Sequence, residues 1–196
     1  MISAPRFTSA DLALLPDDGK RYEIIEGELY VSKQPHYHHQ YASGRLFRFL
    51  DEWNDQTHAG IAFEAPGLIF ATDDDVAPDV VWVRQERLAT VLADDGKLHA
   101  APDLVVEILS PGAKNENRDR ETKRTLYARR GVLEYWIVDW RQRQVEVYRR
   151  EQATLQLIAT LYAQDSLDSP LLPGFTCRVA ALFIDLPSHA APTETD

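Results

Sequence analysis

Glu107 stands in the run Leu104-Val105-Val106-Glu107-Ile108-Leu109, where every other residue is apolar. Burying an ionised carboxylate costs several kcal/mol unless it is paired, metal-bound or neutralised. A solvated sheet face would carry more than one polar residue in such a run. The side chain therefore points into a pocket or meets a fixed cation; the plainer alternatives are an edge-exposed Glu or a buried Glu–Arg pair. Asp79 opens a second apolar stretch, Val80-Val81-Trp82-Val83, directly after Pro78. Its plain reading is a turn-forming Asp at a strand entrance. Pro102-Asp103 has the same look and is read as structural, because Glu107 lies four residues further along the same strand.

Lys123 is the third candidate. Asp119, Lys123 and Tyr127 are spaced by four, so on a helix they share one face. Such charges usually form solvated ion pairs. Here the helix joins two buried-strand patterns, yet its apolar complement is little more than Leu126, Tyr127 and Ala128, so a polar stripe should lean into a cleft. Two carboxylates on adjacent strands can hold Mg²⁺ or Mn²⁺, which prefer oxygen ligands. A metal so held polarises a phosphate and acidifies an attacking water. The lysine can position that water or stabilise developing charge.

The elements that must position these residues follow from hydropathy patterning. Thr8 to Asp17 reads as a short helix capped by Thr8 or Ser9. Tyr22–Ile25 and Leu29–Val31 flank Glu26-Gly27 as a hairpin. From His36 to Gln56, Tyr41, Leu46, Phe49, Leu50 and Trp53 recur at helical spacing. Ile61–Phe70 and Val76–Val83 read as two strands with Asp73-Asp74-Asp75 as the turn between them, and Arg84–Ala93 as a short helix. Leu104–Leu109 is a strand buried on both faces, hence central. A helix over Lys114–Arg130 ends at Gly131, a C-terminal cap. Val132–Asp139 is a further buried strand, and Val145–Arg149 and Thr154–Tyr162 alternate as antiparallel strands. This order predicts an α/β (α+β) fold, a mixed central sheet flanked by helices with an N-terminal hairpin. One domain over 1–186 and a flexible tail over 187–196, rich in Ala, Pro, Thr and Ser, are expected.

Composition bounds the function. The 196 residues hold 21 basic and 31 acidic side chains, a net charge of −10. A protein that coats nucleic acid through an overall basic surface is excluded, since phosphate affinity comes from Lys and Arg displacing counterions. A local basic site is not: from Gly112 to Arg150 there are 11 basic and 6 acidic residues, a balance of +5, which leaves −15 for the rest. At 44% hydrophobic the chain can form a real core. A single cysteine, Cys177, precludes an intrachain disulfide and fits the cytoplasm, and no apolar run is long enough for a membrane span. The start, Met1 to Arg6, lacks the apolar stretch of a signal peptide.

The chain resembles the Uma-two family of bacterial endonucleases, a branch of the PD-(D/E)XK nuclease superfamily, over about Tyr22 to Phe183. The resemblance is carried by Tyr22-Glu23-Ile24-Ile25-Glu26-Gly27-Glu28-Leu29, His39, Pro78-Asp79-Val80-Val81 and Pro102-Asp103-Leu104-Val105-Val106-Glu107-Ile108-Leu109-Ser110-Pro111. It continues through Arg118-Asp119 with Lys123 and Tyr127, Gly131-Val132, and Glu134-Tyr135-Trp136-Ile137-Val138-Asp139. It implies a restriction-endonuclease-like fold and a Mg²⁺-dependent (or Mn²⁺-dependent) cut of DNA phosphodiesters, with Asp79 and Glu107 as metal-binding acids. The superfamily's lysine falls two residues after the acid, a position held here by Leu109; Lys123 is the matching residue from the next helix. Arg118, Arg120 and Arg124 are the expected phosphate contacts, with His39 and Tyr127 bordering the cleft. A homodimer is the expected assembly.

Other residues carry plainer readings. His36, His38 and His39 are solvated or capping histidines rather than a zinc site. Glu28 is an exposed hairpin residue, Cys177 a small buried one, and Trp82, Trp136 and Trp140 core residues. The rival to catalysis is a nuclease-like scaffold kept as a binding or assembly module, motivated by the missing lysine after Glu107. A structural dimer without a ligand is a third reading.

Overall fold

The computed structural model describes residues 6–185, so the tail expected over 187–196 lies outside the described residues. Its centre is a six-stranded mixed sheet in the order β10-β9-β8-β7-β6-β3. These strands are β3 (Gly60–Glu64), β6 (Val80–Arg84), β7 (Leu104–Ile108), β8 (Glu134–Asp139), β9 (Gln144–Glu151) and β10 (Thr154–Tyr162). Only β7 and β8 run parallel; the other neighbours are antiparallel. A parallel pair needs a crossover, and the helical run 113–130 supplies it.

A second sheet, β2-β1-β5-β4, holds the N-terminal hairpin. Its strands are β1 (Arg21–Ile25), β2 (Glu28–Ser32), β4 (Leu68–Ala71) and β5 (Asp74–Val76). The stretch 61–70 is therefore two strands in different sheets. The acids expected to form a turn are partly strand: Asp74 and Asp75 lie in β5, and both are buried. Asp74 accepts from the backbone N–H of Glu26 at 2.7 Å and is bound by Arg129 and Arg130. Those cationic partners are more than fifty residues away, so local spacing does not reveal them.

Period-2 alternation in the central strands builds two cores. Val80, Trp82, Leu104, Val106, Trp136 and Val138 face α2 (Tyr37–Thr57), which contributes Leu46, Leu50 and Trp53. Val81, Val83, Val105, Tyr135 and Ile137 face the other way, against Leu126, Tyr127 and the small sheet's Ile25 and Val76. The run 104–108 is fully buried and sits between β6 and β8, as a strand apolar on both faces must.

The helix expected over 114–130 spans 113–130 in three pieces: α4 (Ala113–Asn117), a wider π-helical turn (Arg118–Lys123) and α5 (Arg124–Arg130). Gly131 closes it at φ 102°, its N–H donating to Tyr127 O at 3.1 Å. The opening helix is short, α1 (Ser9–Leu12), capped at Thr8, and α3 (Leu88–Val91) follows a 3₁₀ turn. The chain closes with the small hairpin β11 (Ser166–Asp168) and β12 (Thr176–Arg178), where Cys177 is buried.

Candidate active site

Register brings the two acids together. β6 and β7 pair antiparallel with Val80 opposite Val106, and one further step sets Asp79 opposite Glu107. Asp79 is fixed there because its Oδ2 accepts from the Ile108 N–H at 2.8 Å. Glu107 alternates with Val106 and Ile108, so it projects from the face that carries Val105, toward the helical run. Both acids are only 3% exposed. They line a cavity of about 290 Å³ with Arg21, Glu23, His39, Arg118 and Lys123.

The polar stripe of the helix fills the other side. The amine of Lys123 donates to Glu107 Oε1 at 2.9 Å and to Glu23 Oε1 at 2.8 Å, with Asp119 at 3.9 Å. The Tyr127 hydroxyl donates to the same Glu107 oxygen at 2.7 Å. The spacing Asp119–Lys123–Tyr127 thus does share one buried face. The π turn carries the first two of them; such turns are frequent at functional sites.

Asp79 gathers a different set. Arg21 Nη1 donates to Oδ1 at 3.0 Å, and His39 Nε2 lies 3.1 Å from Oδ2. Burial pushes this carboxyl up, but the His39 bond, the Arg21 charge and the Ile108 N–H outweigh it, leaving Asp79 well below the usual carboxylate range. Glu107 moves oppositely. Burial, reinforced by the negative charges of Asp79, Asp119 and Glu23 and only partly offset by Lys123, raises it to about 8. Burial alone would lower the Lys123 amine, but Glu107, Glu23 and Asp119 raise it above its ordinary value. Glu23 is held low despite burial, because Lys123 and Arg118 stand beside it. Lys123 and Arg118 do not compensate three buried carboxylates fully: Glu23 is held low, while burial and mutual repulsion raise both Glu107 and Asp119.

The structure brings Asp79, Glu107, Lys123, Arg118, His39 and Tyr127 into one cluster. It does not bring Arg120 or Arg124 into the cavity. Arg120 is bound to Glu146, with Asp139 at 3.9 Å. Arg124 donates to Glu121 at 2.9 Å and to Leu155 O at 3.1 Å, and stacks over Tyr148. Even Arg118 is buried, its guanidinium donating to Ser32 Oγ at 2.9 Å and to Asp119.

Two residues escaped the reading of the sequence as site groups: Glu23 and Arg21. Glu23 sits in Tyr22-Glu23-Ile24-Ile25, an acid in an otherwise apolar strand, the same signal that singles out Glu107. It also accepts from the Ala77 N–H at 3.0 Å, tying the hairpin to the segment before Asp79. Of the histidines, His36 caps α2 by accepting from the His38 N–H at 3.2 Å, while His39 is buried. Glu28 is exposed, as expected. Trp82 and Trp136 are core residues. Trp140 departs from that expectation: it is half-buried and stacks on His36 and His38.

Among the described residues no group of three or more His, Cys, Asp or Glu side chains is arranged to hold a metal. Four carboxylates line the cavity, Glu23, Asp79, Glu107 and Asp119; Glu23 is bound to Lys123 and Arg118 stands beside Asp119, so Asp79 and the second oxygen of Glu107 are the donors that face it. Two carboxylates suit Mg²⁺, which keeps several waters and seldom takes an all-protein cage.

No curated protein matches the chain. A crystal structure described as "a putative nuclease belonging to DUF820" from Anabaena variabilis is similar, with a TM-score of 0.71 and 19% identity, covering 90% of this chain and 97% of that one. The two chains share a fold, a mixed sheet flanked by helices. Residues 9–180 match the family described as "Uma2: Putative restriction endonuclease", and the chain belongs to that family.

Proposed function

We propose that the protein is a metal-dependent endonuclease that hydrolyses DNA phosphodiester bonds. The observation that carries this reading is that Asp79, at the entrance of β6, and Glu107, on β7, stand together at one cavity wall, joined through the Ile108 N–H, with the Lys123 amine 2.9 Å from Glu107. Asp79 and Glu107 would hold Mg²⁺ or Mn²⁺. Such an ion, when bound, polarises the scissile phosphate and lowers the pKa of a bound water.

The chain's own groups have separable tasks. Ile108 N–H, His39 and Arg21 hold Asp79 ionised and oriented. Tyr127 and Lys123 fix one oxygen of Glu107 and leave its other oxygen to the cavity. Glu23 orients Lys123, whose ammonium offers a preorganised positive charge beside the acid pair. Membership of the endonuclease family and the fold shared with the Anabaena variabilis protein support a nucleic-acid substrate.

The test is cleavage of supercoiled plasmid with Mg²⁺ or Mn²⁺. Asp79→Ala and Glu107→Ala should each lower the rate at least about 100-fold, a loss consistent with removing a ligand of a catalytic metal, while circular dichroism stays unchanged. Unchanged cleavage by both variants overturns the assignment.

One observation favours the scaffold reading: the Lys123 amine is 1% exposed and held on both sides by Glu23 and Glu107. Calorimetry separates the two. Metal binding that is lost in Glu107→Gln supports the enzyme; no heat at millimolar Mg²⁺ or Mn²⁺ supports the module. The same reading takes the protein as a cytoplasmic homodimer. Among the described residues no helix is long and apolar enough to cross a membrane. Exposed Leu157 and Ile158 on the sheet-edge strand β10 offer an apolar contact, and light scattering reads the mass directly.

A further inference from the structure

Beside the acid cavity lies a second one, about 510 Å³, and the two share Ser32, Lys33, Gln34, Pro35 and Ser110. The second cavity opens toward His36. There the rings of His36, His38 and Trp140 are nearly parallel, with centroids 4.9, 4.9 and 5.3 Å apart. An indole sandwiched between two imidazoles would separate them by about 7 Å, twice the contact distance of ~3.5 Å. Both imidazoles therefore lie on one face of Trp140. The indole is anchored by donating to Leu109 O at 3.1 Å, next to the shared Ser110. His36 is exposed, and Tyr37, 59% exposed, tilts against both imidazoles at 4.2 and 4.5 Å, so that it is the outer ring of the stack. The result is a built-up aromatic ledge at the end of a continuous groove whose other end is the acid pair.

Lys33 lines both cavities and, among the described residues, makes no salt bridge to a carboxylate. A phosphate chain passing from the acid pair to the ledge would cross it. Ring faces are useful only to a base whose own face is free. Within a duplex both faces of a base are covered by its neighbours, whereas an unpaired base stacks on aromatic side chains irrespective of sequence.

We infer that the substrate is DNA with an unpaired strand, one base of which stacks on Tyr37, the exposed outer ring of the Tyr37–His36–His38–Trp140 ledge, while the phosphate chain crosses Lys33 to the Asp79–Glu107 pair. This rests on the nuclease reading for the direction of the chain and extends it to a substrate class. The strand binds by stacking and phosphate contact, and the groove excludes an intact duplex from the ledge.

The test is binding of fluorescein-labelled oligo-dT, followed by anisotropy, against a blunt duplex of equal length. It is run in EDTA and with Ca²⁺ in place of Mg²⁺. Oligo-dT should bind at least about tenfold more tightly than the duplex in one or both conditions. Tyr37→Ala should weaken oligo-dT about tenfold, in line with loss of one base stack, and His36→Ala, which removes the ring beneath it, several-fold. Because His36 also caps α2, His36→Phe is the control: it loses the cap, keeps a ring face and should restore most of the affinity. Equal or tighter duplex binding, no binding in either condition, or equal effects of His36→Ala and His36→Phe overturns the inference. If the unmodified chain fails to cleave with Mg²⁺ but keeps this preference and this rescue, the nuclease reading fails and the ledge stands. Cleavage without them reverses that outcome.

Discussion

Glu107 and Lys123 form a pair in which each changes what the other costs. The Glu107 carboxyl titrates near 8, because burial and the neighbouring acids raise it, against an ordinary value of 4.5. Between those two values the folded state binds a proton that the unfolded chain has released. Stability from this group is therefore present at low pH and falls as pH rises from about 4.5 to 8, by at most about 5 kcal/mol. Glu107→Gln keeps the neutral shape and removes the titration. Thermal melting across that window should show the unmodified protein losing stability relative to Glu107→Gln; parallel curves would refute the assignment. Lys123→Met asks the converse question, leaving Glu23, Glu107 and Asp119 without their shared cation. Breaking a buried pair from one side costs about 3–5 kcal/mol, and Glu23→Gln in the same chain should recover part of it. Urea unfolding of the single and double variants measures both numbers. Asp79 and Glu107 were legible as candidates because charge stood out against an apolar strand, and Lys123 because its spacing by four from Asp119 and Tyr127 gave a helix with too few apolar residues a polar face. Glu23 carried the same signal in β1, where Arg21 and Tyr22 blurred it.

At the scale of elements, the helical run 113–130 does the positioning. Its fourfold spacing was readable, and its few apolar residues foretold a polar face turned inward. The π turn over Arg118–Lys123 was not readable, since it follows from tertiary contacts such as the Tyr135 hydroxyl donating to Asp119 O at 3.0 Å. The division of 61–70 has a local mark in Pro66-Gly67, a turn dipeptide between β3 and β4; that the two strands join different sheets shows only when β4 finds β5. What holds the far end of the run is Gly131. Its φ is 102°, and a Cβ there would meet nothing within 4 Å. Gly131→Ala therefore acts through backbone strain alone, with no clash. It should cost about 1 kcal/mol and, because the cap holds Tyr127 O, lower metal affinity through a displaced Tyr127–Glu107 bond. Denaturation midpoint and calorimetric affinity should fall together in this variant; a midpoint shift with unchanged metal affinity would uncouple the cap from the site.

Across the whole molecule, the charge balance of the segment 112–150 reads differently once it is folded. Nine of its eleven basic residues have carboxylate partners within 4.0 Å. Several of those partners come from elsewhere, among them Glu26, Asp74, Asp185 and Glu107. The local excess of +5 is thus neutralised by long-range pairing, which no window of sequence displays, and Arg120 and Arg124 are part of that lattice rather than of the cavity. Affinity for a nucleic-acid strand should then depend weakly on salt. Each neutralised phosphate of a single strand adds about −0.7 to the slope of log K against log salt. Lys33, and Arg21 where it shares its charge between Asp79 and a phosphate, supply one to two such contacts, giving a slope of about −0.7 to −1.4. If all eleven basic side chains were free to bind phosphate, the slope would approach about −8. A salt titration of oligo-dT binding decides between them: a slope steeper than about −5 would mean that the arginines leave their internal partners on binding, and that the groove at Lys33 is not the path of the strand.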